Sequence, residues 1–87
     1  MSFDAAKRAA GERAAGLIQG GMVVGLGTGS TAVFATRKLG ELLSAGRLRD
    51  VVAIPTSKAT EEEARRLGIP LVDDSIPSEI DLTIDGA

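Results

Sequence analysis

The sequence contains no cysteine and no histidine. Without cysteine there is no disulfide, no thiolate nucleophile and no Cys-based zinc site. Without histidine there is no Ser–His–Asp triad, no imidazole base and no His-ligated metal. Any proton transfer must therefore use Asp, Glu or Lys, and no metal site is expected. Tyr and Trp are also missing and Phe occurs twice, which argues against stacking on unpaired nucleic-acid bases. There is no basic block: 10 Lys and Arg face 12 Asp and Glu, for a net charge of −2. That argues against a phosphate-backbone binder, so no nucleic-acid partner is expected. No apolar run approaches the roughly 20 residues that cross a bilayer. The N-terminus alternates Ala and charge and shows no signal-peptide pattern. The expectation is a cytoplasmic chain with no membrane partner.

What is present is an ordinary soluble composition, 44% apolar and 25% charged over 87 residues, with room for one domain and a thin core. Residues 3–18 predict a helix, with Phe3, Ala6, Ala10, Ala14, Leu17 and Ile18 as its apolar stripe and Gly20-Gly21 as its end. Met22–Leu26 is a short apolar run that reads as a strand buried on both faces. After the turn Gly27–Thr31, Ala32–Ser44 predicts a second helix with Phe34, Leu39, Leu42 and Leu43 buried. Val51–Ile54 predicts a second strand, stopped by Pro55. A third helix opens with Ser57 as N-cap, carries Glu61, Glu62 and Glu63 early and Arg65 and Arg66 late, and ends at Gly68 before Pro70. Leu71-Val72 reads as a brief third strand, Asp73–Glu79 as a polar loop, and Asp81–Ile84 as a fourth strand.

Strands alternating with helices imply an α/β fold: a doubly wound, mostly parallel, Rossmann-like sheet with flanking helices. The fourth strand ends where the sequence does, yet an open parallel sheet needs cover on both faces. The expectation is therefore that residues 1–87 form a Rossmann-like domain truncated at its C-terminal end, the N-terminal part of a larger domain. An exposed strand edge and sheet face would make such a piece prone to self-association.

The strongest chemical signal is GLGTGSTA at residues 25–32. Glycines let the backbone turn sharply and approach a ligand. The following helix aims its free N–H groups and positive dipole end at the turn, and Thr28, Ser30 and Thr31 add hydroxyls. A Walker A pattern fails because no Lys-Ser/Thr pair follows a glycine. Gly27, Gly29 and Ala32 satisfy GxGxxA, but the second strand ends in Pro55-Thr56-Ser57 with no carboxylate to hold a ribose. A small phosphorylated metabolite conflicts with nothing; a tight turn without a ligand is the competing reading. The second signal is Asp85. In the strand order 3-2-1-4, the first and fourth strands are neighbours at the point where strand order reverses, and ligands bind there. Thr28–Thr31 and Asp85-Gly86 should then share one crevice, although an Asp-Gly pair also serves as a plain turn. Lys7 is either a solvated helix residue or a cation reaching the phosphate. Asp73-Asp74 reads as a solvated loop, Glu61–Glu63 as a response to the helix dipole, and Thr56-Ser57 as capping residues.

GLGTGSTA, PTSKATEEEARRLGIPL and DLTIDGA, taken together and in order, closely resemble ribose-5-phosphate isomerase, type A. The resemblance runs over essentially all 87 residues. It implies a cofactor-free aldose–ketose isomerase of the pentose phosphate pathway. Such an enzyme interconverts ribose 5-phosphate and ribulose 5-phosphate through an enediolate, with a carboxylate base. It further implies that Thr28, Gly29, Ser30 and Thr31 bind substrate and that Asp85, Gly86 and Ala87, matching the family's DGAD motif, contact the sugar. Lys7 is kept with the substrate-binding candidates. Asp85 is expected to hydrogen-bond hydroxyls near the reacting carbons and help open the ring. The second Asp of DGAD, the family's Lys-Gly-rich loop and its catalytic Glu fall beyond Ala87, so no residue here is assigned as the base and the chain alone is expected to be inactive. Family resemblance also implies a homo-oligomer, dimer or tetramer. The alternative is the effector domain of a regulator, which senses a sugar phosphate without chemistry.

Overall fold

The computed structural model describes residues 3–72 and 79–85. The elements are α1 (Phe3–Ala15), β1 (Val23–Leu26), α2 (Ser30–Ser44), β2 (Val52–Pro55), α3 (Lys58–Arg66) and β3 (Leu82–Ile84). The three strands form one parallel sheet in the order β2-β1-β3. Val23 to Leu26 pair with Val52 to Pro55, and Val24 to Leu26 pair with Leu82 to Ile84. Leu71 adds a single parallel bridge to Ala53 beyond β2, bracketed by hydrogen bonds from Ala53 N to Pro70 O (2.8 Å) and from Val72 N to Ala53 O (2.9 Å). The predicted order 3-2-1-4 is therefore present, with the brief third strand reduced to one bridge. The α/β, Rossmann-like class holds.

Strand alternation decides which face carries the core. Val24, Leu26, Ala53 and Ile84 point to one side and join a buried cluster with Ala15, Ala35, Leu39 and Ala64, so α1, α2 and α3 cover that face. Val23, Gly25, Val52, Ile54 and Thr83 point to the other. Among the described residues no helix lies on that second face. Ile80, half exposed at 48%, approaches Gly25 there.

Four local expectations are corrected. The first helix ends at Ala15 rather than at Gly20-Gly21, because Gly16 and Leu17 turn back through hydrogen bonds to Glu12, Arg13 and Ala14. Its buried stripe is also rotated: Gly11, Ala15 and Ile18 are buried, Ala6 and Ala10 are exposed, and Leu17 is 64% exposed. Gly11 is the cause. A methyl there would lie 2.6 Å from Thr31 O and 2.8 Å from Phe34 Cβ, so the missing side chain lets α1 and α2 touch backbone to backbone. In α2 the buried residues are Ala32, Ala35, Thr36, Leu39 and Gly40; Phe34, Leu42 and Leu43 are only half-buried. Pro55 closes β2 from inside it, paired with Leu26, rather than stopping the strand before it. The third helix follows expectation: Ser57 Oγ accepts from Thr60 N at 3.2 Å, and Gly68 takes a positive φ of 75°.

Candidate functional site

The site begins with the register of β1 against β3. Gly27 N donates to Ile84 O at 2.7 Å, which carries the ladder one residue past β1 and brings the two strand tips together. Gly27 has no room for a side chain. A methyl there would sit 2.6 Å from Asp85 Oδ1, 2.9 Å from Ile84 O and 3.0 Å from Asp85 Cα. The Asp85 carboxylate thus lies directly against the start of the Gly27–Thr31 turn, and no strand intervenes.

The turn is built to present backbone donors. Gly29 is the N-cap of α2 with φ 110° and ψ 162°, a conformation that L side chains rarely adopt. No side chain caps the helix, and the positive end of its dipole lies at the turn. Thr28, Gly29, Ser30 and Asp85 are exposed and Thr31 is half-buried. The hydroxyls and backbone of the turn and the Asp85 carboxylate therefore lie on the tips of adjoining strands. That arrangement can hold an anionic ester at one end and hydroxyl groups at the other.

The β2 side braces the turn. Thr56 donates to Leu26 O through both its amide (3.0 Å) and its hydroxyl (2.9 Å). Thr60, buried, donates from Oγ1 to Gly27 O at 3.3 Å and accepts from Ser57 Oγ at 2.9 Å. A cavity of about 290 Å³ separates the turn from α3, lined by Thr28, Gly29, Thr36, Arg37 and Thr60 among others. Arg37 is not open for a ligand there: its Nε reaches Glu63 Oε1 at 3.3 Å, and Glu63 also accepts from Arg66 at 2.6 Å. The hydrogen bond from Arg66, opposed by partial burial and aided by Arg37, holds the Glu63 carboxyl below its ordinary value of 4.5.

The structure brings Asp85 against Gly27, the first residue of the turn that carries Thr28, Gly29, Ser30 and Thr31. Lys7 sits one helical turn before Gly11, the residue that packs on Thr31 and Phe34, and is half-buried. Gly86, Ala87 and Asp73-Asp74 lie outside the described residues. Sequence reasoning missed the bracing role of Thr60 and the contact at Gly11. A hydroxyl three residues after an N-cap and a glycine inside an Ala-rich helix were the available signals. It also missed Asp81, whose Oδ2 accepts from Val23 N at 2.8 Å and so fixes the register of β3. No described helix is long and apolar enough to cross a membrane.

Known proteins resemble this chain in sequence and in fold. The family model of ribose 5-phosphate isomerase A (phosphoriboisomerase A) matches residues 52–87. A probable chloroplastic ribose-5-phosphate isomerase 3 of Arabidopsis thaliana is 59% identical over all 87 residues, which cover 32% of that protein. The solved ribose 5-phosphate isomerase of Plasmodium falciparum superposes with a TM-score of 0.90 at 45% identity, covering 95% of this chain and 36% of that one. A D-ribose-5-phosphate isomerase solved in complex with phospho-erythronic acid gives a TM-score of 0.95 at 37% identity, covering 100% of this chain and 38% of that one. The chain spans about a third of the length of the relatives it matches.

Proposed function

We infer, from a chain whose sequence and fold are those of the ribose-5-phosphate isomerase A family, that it carries the phosphate loop and part of the sugar site of an enzyme interconverting ribose 5-phosphate and ribulose 5-phosphate. The observation that carries this reading is the contact between Gly27 and the Asp85 carboxylate. The phosphate dianion sits on the amides and hydroxyls of Thr28, Gly29, Ser30 and Thr31. Lys7 adds a positive charge from α1. The sugar then extends toward β3, where Asp85 accepts hydrogen bonds from hydroxyls near C1 and C2 and helps open the ring. Gly86 and Ala87 follow Asp85 in the sequence and are assigned to the sugar by family likeness alone. A solved relative is described in complex with phospho-erythronic acid, a phosphorylated sugar acid, and a ligand of that chemistry needs both an anion nest and hydroxyl partners.

The reaction moves a proton between C2 and C1 through an enediolate and needs no cofactor. Family likeness implies a carboxylate base, a role assigned to no residue of 1–87. It lies in the two thirds of the relatives' length that this chain does not span, so residues 1–87 form a sugar-phosphate-binding unit rather than a complete catalyst. The relatives reported above are all named isomerases, which favours an enzyme over a regulator's sensing domain. Family likeness alone supports a homo-oligomer, dimer or tetramer, and a cytoplasmic setting, with one relative named as chloroplastic.

Steady-state kinetics of the full-length protein test the reading. Ser30→Ala with Thr31→Ala should raise KM for ribose 5-phosphate and weaken competitive inhibition by inorganic phosphate. Asp85→Asn should lower kcat/KM and leave phosphate inhibition within about twofold, since it touches the sugar and not the ester. Phosphate inhibition unchanged in the loop variant would overturn the assignment.

A further inference from the structure

We propose that Thr60 is a positioning residue for substrate phosphate: its hydroxyl holds the Gly27 carbonyl and thereby aims the Thr28 N–H into the crevice shared with Asp85. The inference rests on the phosphate-loop reading above and deepens it.

One peptide unit, Gly27–Thr28, links Thr60 to the turn. Gly27 O accepts from Thr60 Oγ1 at 3.3 Å, on the β2 side of the turn. No cis peptide occurs among the described residues, so the Gly27–Thr28 amide is trans and its N–H points opposite to its carbonyl. Because β2 and β3 flank β1 on opposite sides, a carbonyl drawn toward α3 turns the Thr28 N–H toward β3 and Asp85. Among the described residues the Thr28 amide has no hydrogen-bond partner, and the residue is exposed. The donor is presented to a ligand.

Thr60 is suited to hold this peptide because its own hydroxyl is fixed. Oγ1 accepts from Ser57 Oγ at 2.9 Å, which directs its proton to Gly27 O. It is buried, so water does not compete readily for the carbonyl. The neighbouring carbonyl, Leu26 O, is held twice by Thr56. Two successive carbonyls of the turn are thus fixed from the β2 loop. Gly27 is pinned by its own amide to Ile84 O, and Gly29 has the backbone freedom to complete the turn. A glycine-rich turn left to itself samples many conformations; fixing the peptide plane in advance lowers the ordering cost of binding phosphate.

The test uses the full-length protein, ribose 5-phosphate kinetics, inorganic phosphate as competitive inhibitor, and amide NMR. Thr60→Val keeps the side-chain shape and removes the hydroxyl. KM and the inhibition constant for phosphate should rise together by roughly 3- to 10-fold, the effect of one hydrogen bond of ordinary net strength, with kcat within about twofold. Thr60→Ser, which keeps the hydroxyl, should restore both constants. Thr60→Ala provides the same readout if the valine variant folds poorly. In the wild-type protein the Thr28 amide should shift on titration with inorganic phosphate. Unchanged constants in Thr60→Val, an equal rise in Thr60→Ser, or a Thr28 amide that ignores phosphate would each overturn the inference. Failure of the phosphate-loop reading looks different: the Ser30 and Thr31 double variant would then keep wild-type phosphate inhibition.

Discussion

Replacing Gly27 by alanine strikes the one point where the turn and Asp85 meet. The added methyl would lie 2.6 Å from Asp85 Oδ1, 2.9 Å from Ile84 O and 3.0 Å from Asp85 Cα. The carboxylate can swing aside, but the two backbone atoms cannot. Ile84 O is held by Gly27 N at 2.7 Å, so the strand tips must part by several tenths of an ångström and weaken that bond. Overpacking of this kind costs about 1–3 kcal/mol, and a weakened hydrogen bond accounts for part of it. The functional cost should be larger. Under the proposed function, displacing Asp85 from the turn spoils the distance between ester and reacting carbons, and misplacement on the scale of 1 Å costs up to about 100-fold. Denaturant melts and kcat/KM for ribose 5-phosphate, measured on full-length Gly27→Ala, read both. A variant as stable and as active as wild type would refute the claim that this glycine exists to admit Asp85.

Gly29→Ala should destabilise by about 1–3 kcal/mol, since φ 110° with ψ 162° is a conformation open essentially to glycine alone; denaturant melts check it. Ser57→Ala removes the acceptor for Thr60 N and should cost about 1 kcal/mol as a lost N-cap, measured the same way. Glu63 has a lowered folded pKa, so its stabilising contribution is complete above about pH 4.5 and is lost as pH falls through the lowered value. Arg37 and Arg66 are more than half exposed, so the effect is small and screened. Glu63→Gln should therefore flatten the acid limb of a stability-versus-pH curve and shift it little above pH 5.

The element order and the strand neighbours were legible because buried parallel strands write themselves as apolar runs: MVVGL, VVAI and DLTI each marked a strand to within a residue. Ser57 and Gly68 marked the ends of α3 for equally local reasons. The errors came where tertiary contact overrides local pattern. The Ala-rich first helix offers apolar residues on several faces, so periodicity could not choose among them; a close approach to α2 at Gly11 did. Phe34 seemed a core residue by size, yet Thr36 is buried in its place, its hydroxyl satisfied by Ala32 O at 2.9 Å. The glycine-rich turn and its approach to Asp85 were legible because glycine spacing and the alternation of strands with helices are written locally in the sequence. Thr60 was not, because its role depends on where α3 lands beside β1, 33 residues earlier in the chain.

The proposed function requires one pocket uniting the Thr28–Thr31 turn with Asp85. A crystal structure of the full-length protein with ribose 5-phosphate tests that most directly. The account predicts the ester oxygens on the Thr28 to Thr31 amides and hydroxyls, with a sugar hydroxyl hydrogen-bonded to the Asp85 carboxylate of the same chain. A phosphate bound elsewhere, or a sugar that leaves Asp85 without contact, would contradict it.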